Sequence, residues 1–214
     1  MLAEIFKPLI ASPGSVFIRA IIVGGVGVGK TVTAKVFGRE IRRIASEKDL
    51  DLRYVHINCH RDRTLYEVVS EVVRQIGAPI PVRGLSPREM LLALLNYLEK
   101  HEIYVIVALD EFNYFVATEG SEAVYFLIRI YDEYSEVKKR LSYIFISRNA
   151  SVLSMLDPTT ESYILRHMIT FEPYTSDELY DILIYRRDLA FYEGTVDDEI
   201  LRYICLLYTS PSPR

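Results

Sequence analysis

Apolar and polar positions along the chain follow two rhythms. Residues 16–23, 103–109 and 141–147 are almost continuously apolar, rich in β-branched and aromatic types, which predicts strands buried on both faces. Residues 52–58 alternate and predict a fourth strand. Helical spacing fills the intervals. Leu2, Ile5, Phe6 and Leu9 share one helix face, and a longer helix is predicted over 30–46. Thr64 is placed to cap a helix reaching residue 76. Ser86, Pro87 and Glu89 stand at N-cap, N1 and N3 of another that reaches residue 100. A further helix is predicted over 122–135, and the chain is wholly helical after residue 174. The loops fall at 12–15 and at 77–84, where Pro79 and Pro81 forbid regular structure. Strands alternating with helices mean an α/β fold with a parallel sheet, followed by a small helical unit.

Residues 205–214 break the amphipathic pattern of Val196, Ile200, Tyr203 and Ile204 with a Ser/Pro tail. Back-translated, this tail resembles the end of a transposon-based sequencing adaptor. The expectation is a native sequence running to 204 and a non-native, adaptor-derived tail after it, with a flexible native terminus as the alternative. The expected organisation is therefore an α/β domain over 1–171, a helical unit over 172–204 and the tail over 205–214.

Composition narrows the function classes. The 214 residues carry 25 Lys+Arg against 29 Asp+Glu, a net charge of −4, which excludes a general basic coat but not a local basic patch. Cys59 and Cys205 are too few for a disulfide scaffold and suit a reducing compartment. No apolar run approaches the ~18 residues of a membrane span. The N-terminus lacks the charged start, apolar centre and cleavage site of a secretory signal.

The chemistry concentrates at two strand ends. Residues 24–31 read GGVGVGKT, a match to G-x-x-x-x-G-K-[ST] between an apolar strand and a helix. Gly24, Gly25, Val26, Gly27, Val28 and Gly29 would wrap backbone N–H groups around phosphate oxygens at a helix N-terminus. Lys30 would reach the β- and γ-phosphates, and the Thr31 hydroxyl would ligate Mg²⁺. The strand over 103–109 delivers Asp110 and Glu111 to its C-terminal edge, where ligands sit in open α/β sheets. Asp110 would hold Mg²⁺, and Glu111 would polarise the attacking water. The adjacent glutamate favours an AAA+ nucleotide hydrolase over a GTPase. The strand 141–147 ends in Ser147, Arg148 and Asn149. A polar side chain there senses the γ-phosphate in AAA+ proteins. Asn149 is the expected sensor, and Arg148, on the opposite side, its competitor. His56, Cys59 and His60 cluster at a strand end without a second ligand group, so a metal reading there is set aside.

Further segments carry a resemblance. They are YVHINCH at 54–60, RTLYEV at 63–68, GAPIPVRGLS at 77–86, FEPY at 171–174 with Glu178, Leu179, Ile182 and Leu183, and AFYEG at 190–194. Over nearly all of 2–204 the chain resembles the ATPase core of the archaeal origin-recognition/cell-division-control (Orc/Cdc-type) AAA+ replication initiators. The resemblance implies a P-loop AAA+ parallel sheet flanked by helices, followed by the start of a helical lid. It implies ATP/ADP and Mg²⁺ as cofactors, slow hydrolysis as a switch, binding to origin DNA and help in loading the replicative helicase. Tyr174 and Ile182 would pack on the adenine. Within 66–100, Arg74, Arg83 and Arg88 could reach DNA phosphates, a sequence-neutral and salt-sensitive contact. The location implied is cytoplasmic and nucleoid-associated, with self-association but no membrane partner.

Departures from the pattern are also legible. The family's upstream Pro/Arg box, its sensor 2 helix and its winged-helix DNA-binding domain fall outside 1–204, so the chain reads as a fragment. Thr159 stands where the trans-acting arginine is expected, leaving Arg166 as the candidate finger. Two other readings share the same nucleotide chemistry: a signalling (STAND-type) or transposon-associated AAA+ switch, and a scaffold that binds ATP without hydrolysing it. Glu111 argues against the scaffold.

Overall fold

The computed structural model describes residues 1–133 and 137–209. Nine helices and five strands alternate within them, in chain order α1 (Leu2–Ala11), β1 (Arg19–Gly24), α2 (Lys30–Ser46), β2 (Leu52–Asn58), α3 (Leu65–Ile76), α4 (Pro87–Lys100), β3 (Tyr104–Asp110), α5 (Phe112–Ile128), α6 (Ile130–Glu133), β4 (Leu141–Ser147), α7 (Pro158–Ile164), β5 (Met168–Phe171), α8 (Ser176–Ala190) and α9 (Asp198–Thr209). The strands form one parallel sheet in the order β2-β3-β4-β1-β5. The parallel α/β sheet flanked by helices, expected from the alternation, is the fold observed.

Side-chain parity divides the core in two. In β1, β3 and β4 the odd positions (Ile21, Val107, Phe145 and their kin) meet α3, α4 and α5 on one face. The even positions (Ile22, Ile106, Ile144) meet α1 and α2 on the other. This is the two-residue period of a pleated strand, apolar in both phases because helices cover both faces. Phe6 of α1 is fully buried, its ring centroid 5.2 Å from that of Phe37 on α2. Truncating such a side chain to alanine costs ~3–5 kcal/mol.

The expected elements differ from the observed ones at three places. The first strand begins at Arg19 rather than 16, because an antiparallel bridge from Gly14 to Lys139 steers the entering chain; Ile18 still bonds sideways, its N–H donating to Ser142 Oγ (3.4 Å). The helix predicted over 122–135 starts at Phe112, immediately after β3, and is broken at Gly120, which has φ 75° and ψ −172°. The break shifts the phase of the apolar stripe, so Phe112, Phe115 and Val116 do not continue into Val124, Leu127 and Ile128 as one period. Residues 134–135 of that prediction lie outside the described residues. The fifth strand was not anticipated: only Ile169 of β5 is buried, so this edge strand has almost no apolar signature.

The chain forms two compact units, Met1–Phe171 and Glu172–Arg214. In the second, α8 opens with a capping box between Thr175 and Glu178, and Arg187 on α8 donates to Asp198 Oδ1 on α9 (2.5 Å). The helix α9 runs through residue 204 without a break, and Leu201 and Cys205 are both buried, one helical turn apart. The helical pattern expected to stop at 204 therefore continues to Thr209; residues 210–214 of the proposed tail lie outside the described residues. No helix among the described residues is long and apolar enough to cross a membrane.

Candidate nucleotide site

The sheet order brings the C-terminal ends of β1, β4 and β3 side by side, and with them the phosphate loop, the Asp110–Glu111 pair and the Arg148–Asn149 pair. At the end of β1, Gly24 tolerates no side chain: a Cβ would lie 2.4 Å from the Phe171 carbonyl oxygen of β5. The loop then turns into α2 through Gly29, whose φ of 88° is left-handed and suits glycine. Val26 points outward at 74% exposure, whereas Val28 tucks its side chain inside. Helices α3, α4 and α8 close their first turns with capping boxes; α2 has no side-chain cap among the described residues. Its first-turn N–H groups and positive dipole end face the loop, the arrangement that receives phosphate.

Lys30 folds back over this loop and donates through Nζ to the carbonyls of Gly24 (2.7 Å) and Gly25. Burial lowers its pKa, aided by Arg148, against the raising influence of Glu111 and Asp110. Thr31, next along α2, donates from Oγ1 to Asp110 Oδ2 at 2.7 Å. That contact joins the two motifs physically. Asp110 can meet Thr31 because it continues the phase of Ile106 and Ala108 and so emerges on the α2 face of the sheet. Asp110 is buried, its side chain 9% exposed. Burial by itself would raise its pKa, but hydrogen bonds from His56, from Thr31 and from the Glu111 amide outweigh burial and hold it below the ordinary carboxylate range. An ionised aspartate oxygen touching a threonine oxygen at a helix N-terminus is a donor set that fits Mg²⁺, which takes one or two protein oxygens and completes its shell with phosphate and water.

Glu111 occupies the N-cap of α5 with φ 56° and ψ 40°, a left-handed turn that few non-glycine residues adopt. One residue thus reverses the chain from strand to helix and sets the Glu111 carboxylate at the mouth of the site. There Oε2 receives the Arg148 Nε–H at 2.8 Å. The Arg148 guanidinium lies 5.8 Å from the Tyr114 ring, which also carries Arg63 at 5.3 Å and an edge contact from His60 at 4.7 Å. Gly27, Lys30, Thr31, Asp110, Glu111 and Arg148 surround a cavity of about 310 Å³.

The structure separates the two candidates for the sensor. Arg148 lines the cavity and Asn149 does not. Arg148 continues the phase of Ile144 and Ile146 on the α2 face, the same parity that aims Asp110. Asn149 has the opposite phase; it begins the 3₁₀ segment Ala150–Met155, and its Oδ1 accepts from Ser151. Arg166 also stands apart from this cavity. It is exposed in the short 3₁₀ turn before β5, 5.4 Å from the Tyr163 ring. Thr159, at the expected finger position, is exposed in the first turn of α7.

Tyr174 precedes α8 and Ile182 lies within it, both in the second compact unit. Arg83 and Arg88 are exposed at the α3–α4 connection and the first turn of α4, while Arg74 pairs with Glu71 on α3. The sequence reading missed His56 and Tyr114 as parts of the site. His56 becomes legible only from register: β2 pairs with β3 so that Asn58 stands opposite Asp110, which puts His56 on the same face as Asp110, while Tyr114 follows from the start of α5 directly after Glu111.

Comparison with known proteins agrees with this geometry. A family model described as AAA domain matches residues 20–156. The chain is 47% identical over 201 residues to ORC1-type DNA replication protein 2 of Sulfolobus acidocaldarius, covering 93% of this chain and 48% of that protein. It superposes on the ADP form of the Aeropyrum pernix ORC2 protein with a TM-score of 0.86 at 28% identity, covering 97% of this chain and 55% of that one. The Aeropyrum pernix ORC1 protein in complex with DNA gives 0.80 at 26% identity, with 96% and 52% covered. The chain thus spans about half the length of the relatives it matches. Sheet order, phosphate loop, paired carboxylates and these likenesses together make the chain a member of the AAA domain family, of the archaeal origin-recognition/cell-division-control type.

Proposed function

We propose that this chain is the nucleotide-binding core of a DNA replication initiator, binding ATP with Mg²⁺ and hydrolysing it slowly. The observation that carries the reading is the 2.7 Å contact from Thr31 to Asp110, which unites the phosphate loop and the carboxylate strand at one helix N-terminus. The loop amides and Lys30 bind the β- and γ-phosphates; to do so, Lys30 exchanges its two loop carbonyls for phosphate oxygens. Thr31 and Asp110 hold Mg²⁺, which neutralises charge on the phosphates when bound. Glu111 accepts a proton from the water that attacks the γ-phosphorus as the bond to the leaving ADP oxygen breaks.

Two features support slow turnover. Glu111 is paired with Arg148, which must turn to the γ-phosphate before the carboxylate is free to orient water. Thr159 cannot supply the transition-state charge of an arginine finger, an effect worth roughly 10³–10⁵ in related phosphoryl transfers. Arg166 is the candidate on this chain for that role toward a neighbouring copy. Tyr174 and Ile182 are the residues assigned to the adenine. The same reading takes 1–171 as the AAA+ domain, 172–204 as part of its lid and 205–214 as non-native.

The DNA-facing half of the proposal rests on kinship with ORC1-type replication proteins and on the exposed Arg83 and Arg88. Origin DNA is the partner, bound mainly through the family's winged helix, and the replicative helicase is the downstream one. The site assignment is tested by two substitutions. Lys30→Ala should abolish ATP binding in a fluorescent-nucleotide titration. Glu111→Gln should keep binding and stop turnover, and turnover at the parent rate would show that Glu111 is not the base.

A further inference from the structure

Asp110 is held from a second side, by groups that neither motif contains. His56 on β2 places Nε2 3.1 Å from Asp110 Oδ2, and its Nδ1 lies 3.0 Å from the Tyr54 hydroxyl. His56 stands opposite Ala108 in the β2–β3 pairing, so it shares the face on which Asp110 emerges two residues later. Its side chain is 17% exposed and that of Asp110 is 9% exposed. The contact is therefore largely shielded from competing water.

The proton inventory gives this chain a direction. A neutral imidazole carries one N–H, and an ionised carboxylate only accepts. Burial pushes the Tyr54 phenol well above its ordinary pKa, so Tyr54 keeps its proton and can donate it to Nδ1. With Nδ1 accepting, the ring proton lies on Nε2 and is donated to Asp110 Oδ2. Second-sphere donors commonly fix the tautomer and orientation of a metal site in this way. Tyr54 has little freedom of its own. Its ring is wedged against Gly38 of α2, where a Cβ would come within 2.4 Å. The His56 backbone is clamped as well: its N–H donates to Gln75 Oε1 (3.3 Å), and Gln75 Nε2 donates to its carbonyl (3.1 Å). Ring, imidazole and carboxylate form one braced line from α2 across β2 to the end of β3.

We propose that His56, backed by Tyr54, is a positioning residue that holds Asp110 in the rotamer needed to ligate Mg²⁺ beside Thr31. The proposal rests on the reading of Thr31 and Asp110 as the magnesium ligands. It differs from that reading in assigning a quantitative share of metal affinity to a strand outside both motifs.

The test is a Mg²⁺ titration of fluorescent ADP binding to the chain, with parallel titrations in EDTA. ADP removes hydrolysis from the measurement. The parent, His56→Ala and Tyr54→Phe are compared. In EDTA all three should bind ADP with the same Kd, because the loop amides and Lys30 are untouched. With Mg²⁺, His56→Ala should need about 10–100-fold more metal for half-saturation, the usual consequence of losing a second-sphere partner. Tyr54→Phe should shift in the same direction by less, since the imidazole remains but its tautomer is released. An unchanged Mg²⁺ midpoint in His56→Ala overturns the proposal. So does an equal loss of affinity in EDTA, which would mark a general structural role. If His56→Ala does not fold, Tyr54→Phe decides alone, an unmoved midpoint counting against the proposal. Parent binding that is itself indifferent to Mg²⁺ would overturn the magnesium reading of Thr31 and Asp110, and the proposal with it. Mg²⁺-dependent parent binding with indifferent variants would overturn only the role of His56.

Discussion

Arg148→Ala separates two effects of opposite sign at one side chain. Removing the guanidinium frees Glu111, whose Oε2 it holds at 2.8 Å, and removes a cation from the cavity proposed to receive the γ-phosphate. The side chains of the pair are 46% and 28% exposed. Ion pairs so open to water shift equilibria by no more than about five-fold, so freeing Glu111 can raise turnover by at most that factor. A cation aimed at charge that develops on a transferring phosphoryl group is worth far more. Losing one preorganised donor of that kind costs about 10²–10³ in kcat. The second effect wins, and single-turnover hydrolysis should fall by roughly 10²-fold, while ADP affinity and thermal stability stay near the parent's. Asn149→Ala, with its side chain on Ser151, should leave the rate unchanged. Single-turnover release of labelled phosphate, with fluorescent ADP binding as control, measures both. Turnover that rises or holds in Arg148→Ala would reduce Arg148 to a restraint on Glu111. A large loss in Asn149→Ala would restore the sensor to the position first expected from the sequence.

Other consequences follow from packing and charge. Gly24→Ala should force β5 away from β1, since the new methyl meets the Phe171 carbonyl at 2.4 Å; overpacking of this kind costs ~1–3 kcal/mol and should lower the melting temperature and weaken ATP binding together. Glu99→Gln should destabilise the chain by about 1 kcal/mol in denaturant unfolding: it removes the charged acceptor, 2.7 Å away, of the 2%-exposed Arg140 side chain, but the Glu99 side chain is 41% exposed and screened by water. Acid should act through the depressed carboxylates Glu67, Glu89 and Glu99, held down respectively by the Thr64 amide, the Ser86 amide and Arg140. Each favours folding once ionised in both states, so their contribution is complete above the ordinary glutamate value of about 4.3 and is lost as pH falls through the lower folded values. A melting series should be flat in these groups near neutrality and decline below about pH 4; no decline on acidification would contradict the capping assignments.

Legibility in the sequence tracked burial and periodicity. β3 and β4 were readable because both their phases are apolar, and α3 and α4 because Thr64/Glu67 and Ser86/Glu89 spell their caps. The short edge strand β5 buries one residue of four and left no such trace. The early start of α5 was masked by Gly120, which puts its two halves out of phase. In the site, Lys30, Thr31, Asp110 and Glu111 were readable because phosphate and metal chemistry demand those types at those spacings. The choice between Arg148 and Asn149 required strand parity, and His56 required the pairing register of two strands. Those facts belong to the sheet and to no local stretch of sequence.

The site that strand parity builds also depends on distant parts of the chain being paired correctly. Its parts come from chain segments around residues 24–31, 56, 110 and 148, brought together by three parallel pairings. Non-local parallel pairings form slowly, because loop entropy is spent before the contacts are gained. A slip of β3 by one residue would exchange Leu109 for Asp110 on the α2 face and leave Thr31 and His56 against a hydrocarbon side chain. Nucleotide would find no site on such a misregistered sheet and would favour only the correctly zipped one. A nucleotide bound as proposed would therefore act as a thermodynamic proofreader of the strand register, and refolding in its presence should enrich the native pairing over slipped ones.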